Sequence, residues 1–600
     1  MRIRILFSVA FILFFAGQGI SFANFLVYEG LRFSSQPDFQ NTGYSGYNFM
    51  RFLVSNGSER TRNVKLTLRA DYSQDLNSVS RSFAIQPGET REESLVFPVS
   101  DFSSSGTSVT VDGIEISERI TRHFRTYKNY HANPQVLVDS RLSRTDFDAV
   151  FGSSGALGSL KLEFNQFSGS PSQLYRNWLA YSQFNLLLYY GKTLTEMPAE
   201  VRMAVFDYVR AGGSLLLLGP TSLPSDFQQK ALPSDQHWQR YEGGFGNVSV
   251  LPANVLQSRP APARSLESFN LEDPVESAGS SGPDLTFWKK FPAALLPICD
   301  PFSSNRIKSK SPIEFSIDES EKVSARWLML IVYIFAFIIG PVNIYVLYRT
   351  GRRLLVFLTV PMASLVCCAF IYGYYLAFES STLLVRRQTL TLLDERYSRA
   401  VVLGNYAVFS SSRRDGGLRF DMNTEVYQIS NNDYRSFDAG KSIVLDEEQH
   451  LAEGWIKPKV PRYLHLRSVQ NRRERLVASL QNGQMTLTNG LGADIGKVHL
   501  MTSSGRVFTA SDVAAGDAVI MNELSSFRIS RAASPAKIFA DGWYNKISGL
   551  SNDYQMNYLQ PGAYVASLKK SPFFRQSFED EAQVTEEACI IGILKEDPEK

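Results

Sequence analysis

The sequence predicts a multidomain chain with four folded parts: a β-sandwich, an α/β domain, a hairpin of two transmembrane helices and a C-terminal β-rich domain. Three observations predict it. Two long uncharged runs flank the pentapeptide Arg349-Thr350-Gly351-Arg352-Arg353. Short alternating apolar and polar runs, broken by Asn-Gly and Pro-Gly turns, occupy both sides of that hairpin. Between the first of them and the hairpin, a strand, a helical face, a Gly-Gly stop and a second apolar strand follow one another between Phe184 and Gly219.

The 600 residues suggest roughly three to five domains at about 100–200 residues each. Aromatic content is high, with 41 Phe and 27 Tyr, which favours strands. The net charge of +3 supplies no strong basic field, which argues against a dedicated nucleic-acid binder.

Residues 1–23 read as a signal peptide. Met1-Arg2-Ile3-Arg4 is basic, Ile5 to Ala16 is apolar, and Ser21-Phe22-Ala23 places small residues before a cut after Ala23. No charge lies between Arg4 and Glu29, so an uncleaved anchor is the alternative.

Residues 24–131 read as the β-sandwich. Phe49 to Val54 is a strand, Asn56-Gly57 a tight turn, Val64 to Leu68 a strand with clean alternation, and Pro87-Gly88 a turn into Ser94 to Phe97. Residues 132–260 read as the α/β domain. Val136 to Val138 and Phe184 to Tyr190 are buried strands. Val201, Ala204, Val205, Tyr208 and Val209 line one face of a helix begun by Pro198. Gly212-Gly213 stops that helix before the strand Ser214 to Leu218. Residues 261–325 read as a connecting region rich in Ser, Pro and charge, with Phe287-Trp288 as an aromatic patch.

Residues 326–378 hold two transmembrane helices, 327–348 and 354–378. They are 22 and 25 residues long, enough at ~1.5 Å per residue to span a core of ~30 Å. The three arginines between them favour a cytoplasmic loop, which leaves both large regions extracytoplasmic. Pro341 and Pro361 each stand ten residues from Gly351 and free carbonyls at Phe337 and Phe357. Asn343 is expected to face the partner helix and bond near Phe357.

Residues 379–600 read as an extracytoplasmic β-rich domain. Leu383 to about Phe437 has strand-like runs. From Leu476 a second sandwich pattern begins, in which Asn489-Gly490 and Ala515-Gly516-Asp517 parallel Asn56-Gly57 and Pro87-Gly88-Glu89. This is either a duplicated fold class or shared turn chemistry. Ala563 to Ala566 and Cys589 to Leu594 read as final strands.

The order of parts resembles a group of uncharacterised bacterial two-helix envelope membrane proteins that carry a class I glutamine amidotransferase-like domain. The resembling residues are Ala211 to Leu216, Gly340 to Leu347, Gly351-Arg352-Arg353, Pro361, Leu487 to Gly490 and Gly562 to Val565. The resemblance implies a flavodoxin-like, amidotransferase-like fold for residues 132–260. It also implies kinship with auxiliary proteins of some ABC transport and gliding systems, at the level of fold only.

An amidotransferase needs a cysteine on a sharp strand-to-helix turn, activated by histidine and glutamate. The matching turn here is Gly219-Pro220-Thr221-Ser222, and residues 132–260 contain no cysteine. Ser222 with His237 as base is the substitute pair to consider, but Pro220 and the lack of a GxSxG elbow argue against it. Gly243 to Val248 lacks the GxxxxGK[ST] pattern and reads as a turn before a strand. His123, His131, His237, His450, His465 and His499 are scattered without partners at metal spacing. Cys299 and Cys589 could form a disulfide outside the cytoplasm. Arg386-Arg387 could touch lipid headgroups, and Arg472-Arg473-Glu474-Arg475 reads as a solvated face.

These readings assign no catalytic, cofactor-binding or metal residue and no cofactor. The expected function is a non-catalytic scaffold or accessory subunit of a bacterial inner (cytoplasmic) membrane. Its partners would be the lipid bilayer and a protein in a membrane complex, such as a transporter, with no nucleic acid. The alternatives are an extracytoplasmic ligand-binding or sensor protein using the crevice near Gly219 to Ser222, and a divergent hydrolase.

Overall fold

The computed structural model describes residues 25–35, 39, 46–73, 76–98, 102–126, 135–143, 156–157, 160–161, 163–167, 169–230, 239–251, 317, 325–351, 353–378, 383–412, 416–429, 440–524, 559–574 and 582–599. The signal peptide at 1–23, His131, His237, the Phe287-Trp288 patch and Cys299 lie outside the described residues.

The chain begins with β1 (Phe25–Tyr28), β2 (Leu31–Ser35), β3 (Tyr47–Asn56), β4 (Arg62–Arg69) and β5 (Tyr72–Ser73). It continues with β6 (Leu76–Ile85), β7 (Thr90–Pro98), β8 (Phe102–Val111) and β9 (Ile114–Thr126). One sheet runs β1-β2-β3-β7 and the other carries β6-β4-β8-β5 with β9 on β8. Val64, Leu66 and Leu68 are buried while Lys65 is exposed, as alternation predicts for a strand with one face on a core, and Thr67 departs from the pattern in being buried as well.

Next come β10 (Gln135–Val138), β11 (Ala156–Leu157), β12 (Leu160–Lys161), β13 (Glu163–Gln166), β14 (Leu186–Tyr190) and β15 (Ser214–Leu218). Two helices, α1 (Gly191–Glu196) and α2 (Ala199–Arg210), lie between β14 and β15, and β16 (Gln228–Lys230), β17 (Gln239–Gly243) and β18 (Gly246–Leu251) follow. β13, β10, β14, β15 and β18 are parallel neighbours in that order, with β17 and β16 added antiparallel at the edge. In chain order the five parallel strands therefore stand 2-1-3-4-5, the strand order found in one class of doubly wound sheet.

α2 buries the expected face: Val201, Ala204, Val205, Tyr208 and Val209. Its stop is steric as well as conformational. A Cβ on Gly213 would sit 2.2 Å from the Tyr208 ring, whose hydroxyl donates to the Phe184 carbonyl at 2.9 Å. The short α1 was not visible in the sequence pattern, being too short for a helical period.

The hairpin consists of α3 (Ala325–Phe337), a π turn at Ile338–Val342 containing Pro341, α4 (Asn343–Arg349) and α5 (Val356–Phe378) containing Pro361. Two stretches in it, Val332–Arg349 and Val356–Gly373, are long and apolar enough to cross a membrane. Asn343 does face the partner helix. Its Nδ2 donates to Thr359 Oγ1 at 3.0 Å, two residues beyond the expected Phe357.

After the hairpin come β19 (Leu383–Asp394), β20 (Arg399–Ser410), β21 (Leu418–Asp421), β22 (Thr424–Ile429), β23 (Lys441–Leu445), β24 (Glu448–Leu451) and β25 (Arg462–Asn471). The remaining strands are β26 (Arg475–Gln481), β27 (Gln484–Gly490), β28 (Ile495–Met501), β29 (Val507–Val513), β30 (Ala518–Leu524), β31 (Ala563–Leu568) and β32 (Ala582–Ile593). Eleven strands form one sheet in the order β22-β25-β20-β19-β32-β31-β28-β29-β30-β27-β26. The other three, β21, β24 and β23, join the N-terminal sandwich, where β23 pairs parallel with β6 from Lys441 opposite Leu76 to Leu445 opposite Arg81. Strands from before and after the hairpin thus share a sheet, a feature that local patterning does not reveal.

The similarity between the two Asn-Gly sites is geometric. Asn56 Nδ2 donates to the carbonyls of Arg60 and Ile85, and Asn489 Nδ2 to those of Ala493 and Val513. Each Oδ1 accepts the amide two residues on, from Ser58 or Leu491. Each backbone carbonyl accepts from the turn glycine, Gly88 or Gly516, and each amide donates to the residue after it, Glu89 or Asp517.

Candidate functional site

Doubly wound sheets bind ligands beyond the carboxyl ends of their strands, where the strand order reverses. That point lies between β10 and β14. Asp139 follows β10 and is buried. Its Oδ1 accepts from the Arg141 amide at 3.0 Å and its Oδ2 from the Tyr190 amide at 3.2 Å. Its own amide donates to the Leu188 carbonyl at 2.8 Å. The carboxylate therefore ties two strand ends together with backbone donors. Arg141 and Glu196 form an ion pair at its rim, and the guanidinium holds the Glu196 carboxyl below its usual range.

The predicted crevice at Gly219 to Ser222 has main chain close along one side, while a Cβ on Gly219 would meet nothing within 4 Å. A Cβ on Gly191, the first residue of α1, would lie 2.5 Å from the Pro220 carbonyl oxygen. Ser222 sits exposed in the loop after β15. Gly243 to Val248 is the turn and strand start expected of it, with Gly244 at φ 62°.

The densest buried polar chemistry among the described residues lies at the seams between modules. Glu425 and Arg467 form a buried ion pair. Arg467 Nη1 also donates to the Ala211 carbonyl at the end of α2, at 3.0 Å, and its guanidinium lies 5.7 Å from the Trp178 ring centroid. The Trp178 indole donates to the Asn423 carbonyl at 3.0 Å. Tyr47, from the N-terminal sandwich, accepts from the Val426 amide at 2.9 Å, and burial pushes its phenol well above the ordinary range. Arg399 meets Asp207 of α2 at 3.4 Å. All three extramembrane modules therefore meet around β22.

A second seam joins the sandwich to the α/β module. Arg51 donates to the Gln173 carbonyl at 2.5 Å and lies 4.3 Å from the Tyr175 ring centroid. Phe39 packs edge-on against Phe184 at 4.8 Å and Phe167 at 5.9 Å. Gly46, at φ 80°, passes so close to Ser182 that a Cβ would sit 2.5 Å from its carbonyl.

Several sequence candidates resolve into structural roles. Arg387 is buried against Glu586, each side chain no more than 4% exposed, and Arg386 pairs with Glu587 at 3.2 Å. Both guanidinium groups thus have acid partners on the neighbouring strand β32. Arg472 pairs with Glu474 and donates to the Phe573 carbonyl, so it braces the fold, while Arg473 and Arg475 are exposed. Cys589 is a buried thiol, pushed up by burial, and Cys299, its suggested partner, lies outside the described residues. His465 bonds Asn405 at 2.9 Å and His450 the Gly416 carbonyl at 2.8 Å. His499 is buried with no hydrogen bond to either ring nitrogen among the described residues, and burial lowers it to about 4. No group of three or more His, Cys, Asp or Glu placed to hold a metal ion occurs among the described residues.

Glu395 was not singled out by sequence, because a lone Glu in a turn carries no pattern. It is buried at the turn between β19 and β20, where its Oε1 accepts from the Leu476 amide and the Tyr564 hydroxyl, each at 2.8 Å. Burial raises its carboxyl to about 7, against the hydrogen bonds that favour the charged form.

No family model matches the chain, and no curated protein does. Matching solved structures include the yeast δ-COP-I μ-homology domain, alone and complexed with a Dsl1 WxWxV peptide. Each is 8% identical, covers 35% of this chain and has a TM-score of 0.17; the complex is covered over 96% of its length and the free domain over 95%. A likeness of that size carries no argument.

Proposed function

We propose that the protein is a non-catalytic, membrane-anchored envelope scaffold, with its extramembrane modules joined into one body on the extracytoplasmic face. The observation that carries this reading is the parallel pairing of β6 with β23. A sheet cannot continue through hydrocarbon, where open edges and irregular backbone go unsatisfied. Pairing of chain from before and after the hairpin therefore supports placing both regions on one side. The arginines of the 349–353 loop favour the cytoplasm for the other.

The buried seams support a scaffold over a set of independent modules. Buried ion pairs such as Glu425–Arg467 and Arg387–Glu586 fix geometry more than they stabilise it, since desolvation offsets most of their attraction. A body held in this way suits presentation of a fixed surface to a membrane partner. The 2-1-3-4-5 strand order agrees in kind with an amidotransferase-like module, and the absence of cysteine from residues 132–260 supports a non-catalytic use of it.

The test is recovery of tagged full-length protein from native membranes in mild detergent. A stoichiometric membrane protein in the eluate is expected. Reproducible recovery of the chain alone, including after mild crosslinking in intact cells, would remove the scaffold reading.

A further inference from the structure

We propose that the turn carrying Glu395 is a pH-responsive joint between parts of the extramembrane body. The placement carries the inference. β19 leads up from the membrane hairpin and ends at Asp394, and β20 starts at Arg399. The four residues between them touch most of what surrounds them. The Glu395 amide donates to the Ile593 carbonyl at the end of β32, and its carboxyl takes the Leu476 amide of β26 and the Tyr564 hydroxyl of β31. The Ser398 carbonyl accepts from the Arg472 amide at 2.8 Å. At the far side Arg399 reaches Asp207 of the α/β module.

The charged and titratable groups that face Glu395 are few. From β26 comes Arg475, an exposed guanidinium whose attraction is weak; from β31 comes the Tyr564 phenol; after β32 comes only the backbone amide of Lys595. On its own turn Asp394 is already paired with Arg396 at 2.7 Å. Across the joint, the half of the α/β module that receives Arg399 balances Asp207 and Asp226 against Arg210. Among the described residues only the weak attraction of Arg475 opposes the burial of an ionised Glu395 by charge, so that charge rests mainly on dipoles in a buried site.

The sign follows. Glu395 titrates at about 7 in the folded protein, above its ordinary value. Its contribution to the joint is fully present below the ordinary carboxyl range. It is lost as pH rises through about 7, because the folded state there must surrender a proton it holds more tightly than the unfolded chain does. The strand expected to loosen first is β26, the sheet edge whose Leu476 amide the carboxyl holds. The inference does not depend on which face of the membrane bears the joint.

The experiment is hydrogen exchange of full-length protein in detergent, at about pH 5.5 and about pH 8.5, corrected for intrinsic chemical rates. In the wild type, protection of the β26 amides is expected to fall about tenfold or more at the higher pH. In Glu395→Gln it is expected to be the same at both. Tyr564→Phe removes a donor that favours the charged carboxylate, so the midpoint of the protection loss should move to higher pH. Equal wild-type protection at both pH values, the same loss in Glu395→Gln, or an unmoved midpoint in a folded Tyr564→Phe would each overturn the proposal.

Discussion

At the scale of single residues, the two buried asparagines illustrate how one side chain organises a turn. Asn56 and Asn489 each cap a chain reversal and bind the partner turn across the sandwich. Replacing either by Ala would leave these carbonyls and the amide two residues on without their side-chain partner, so each change is expected to cost about 2–4 kcal/mol in denaturant unfolding. The buried pair Arg387–Glu586 makes a different prediction. Arg387→Ala alone leaves a carboxylate buried and is expected to cost about 3–5 kcal/mol, while Arg387→Met with Glu586→Met together should cost far less. A double-mutant cycle on unfolding free energies distinguishes these outcomes. His499 opposes Glu395 in sign: held neutral and lowered to about 4, it contributes stability above its ordinary range that is lost as pH falls toward 4. The asparagines were legible in the sequence as Asn-Gly repeats. Glu395, Glu425 and Arg467 were not, because their partners come from segments far along the chain and no local period announces them.

At the scale of elements, what was legible was whatever buries a face of its own. The α2 face, the β4 alternation and the two apolar runs of the hairpin follow from local period alone. The close approach of Gly191 to Pro220 did not, since it depends on where a short helix begins. The hairpin's only described interhelical side-chain bond, Asn343 to Thr359, is expected to be modest in lipid, about 0.6 kcal/mol and at most about 1.7. Asn343→Leu and Thr359→Val should therefore be tolerated singly and be no worse combined, as read from the protein's thermal unfolding in detergent. The seam at Gly46 is more sensitive. Gly46→Ala meets both a positive φ and backbone at 2.5 Å, so it is expected to separate the sandwich from the α/β module. Limited proteolysis should then cut between residues 126 and 135, a segment that bridges the two modules.

At the scale of the whole molecule, the sequence suggested separate domains strung along a membrane anchor, whereas the strands interleave. Ser78 and Ser442 stand opposite one another across the β6–β23 pairing, at a separation that parallel neighbours share with disulfides. A Ser78→Cys, Ser442→Cys variant should close an intrachain disulfide on mild oxidation of intact cells. With a protease site placed in the 349–353 loop, the cut chain should then run at full mass until reduced. A band at twice that mass would mean that β23 is exchanged between copies, and two separate halves would refute the shared sheet.

The same pairing sets a clock on biosynthesis. β6 ends at Ile85, but the strand that covers its edge begins at Lys441, 356 residues later. At roughly 5–20 residues per second, that edge stays bare for about 20–70 s, during which both helices of the hairpin must be made. An uncovered strand edge is an invitation to mispairing. Until its own chain returns to supply β23, the N-terminal sandwich therefore carries an open edge at β6.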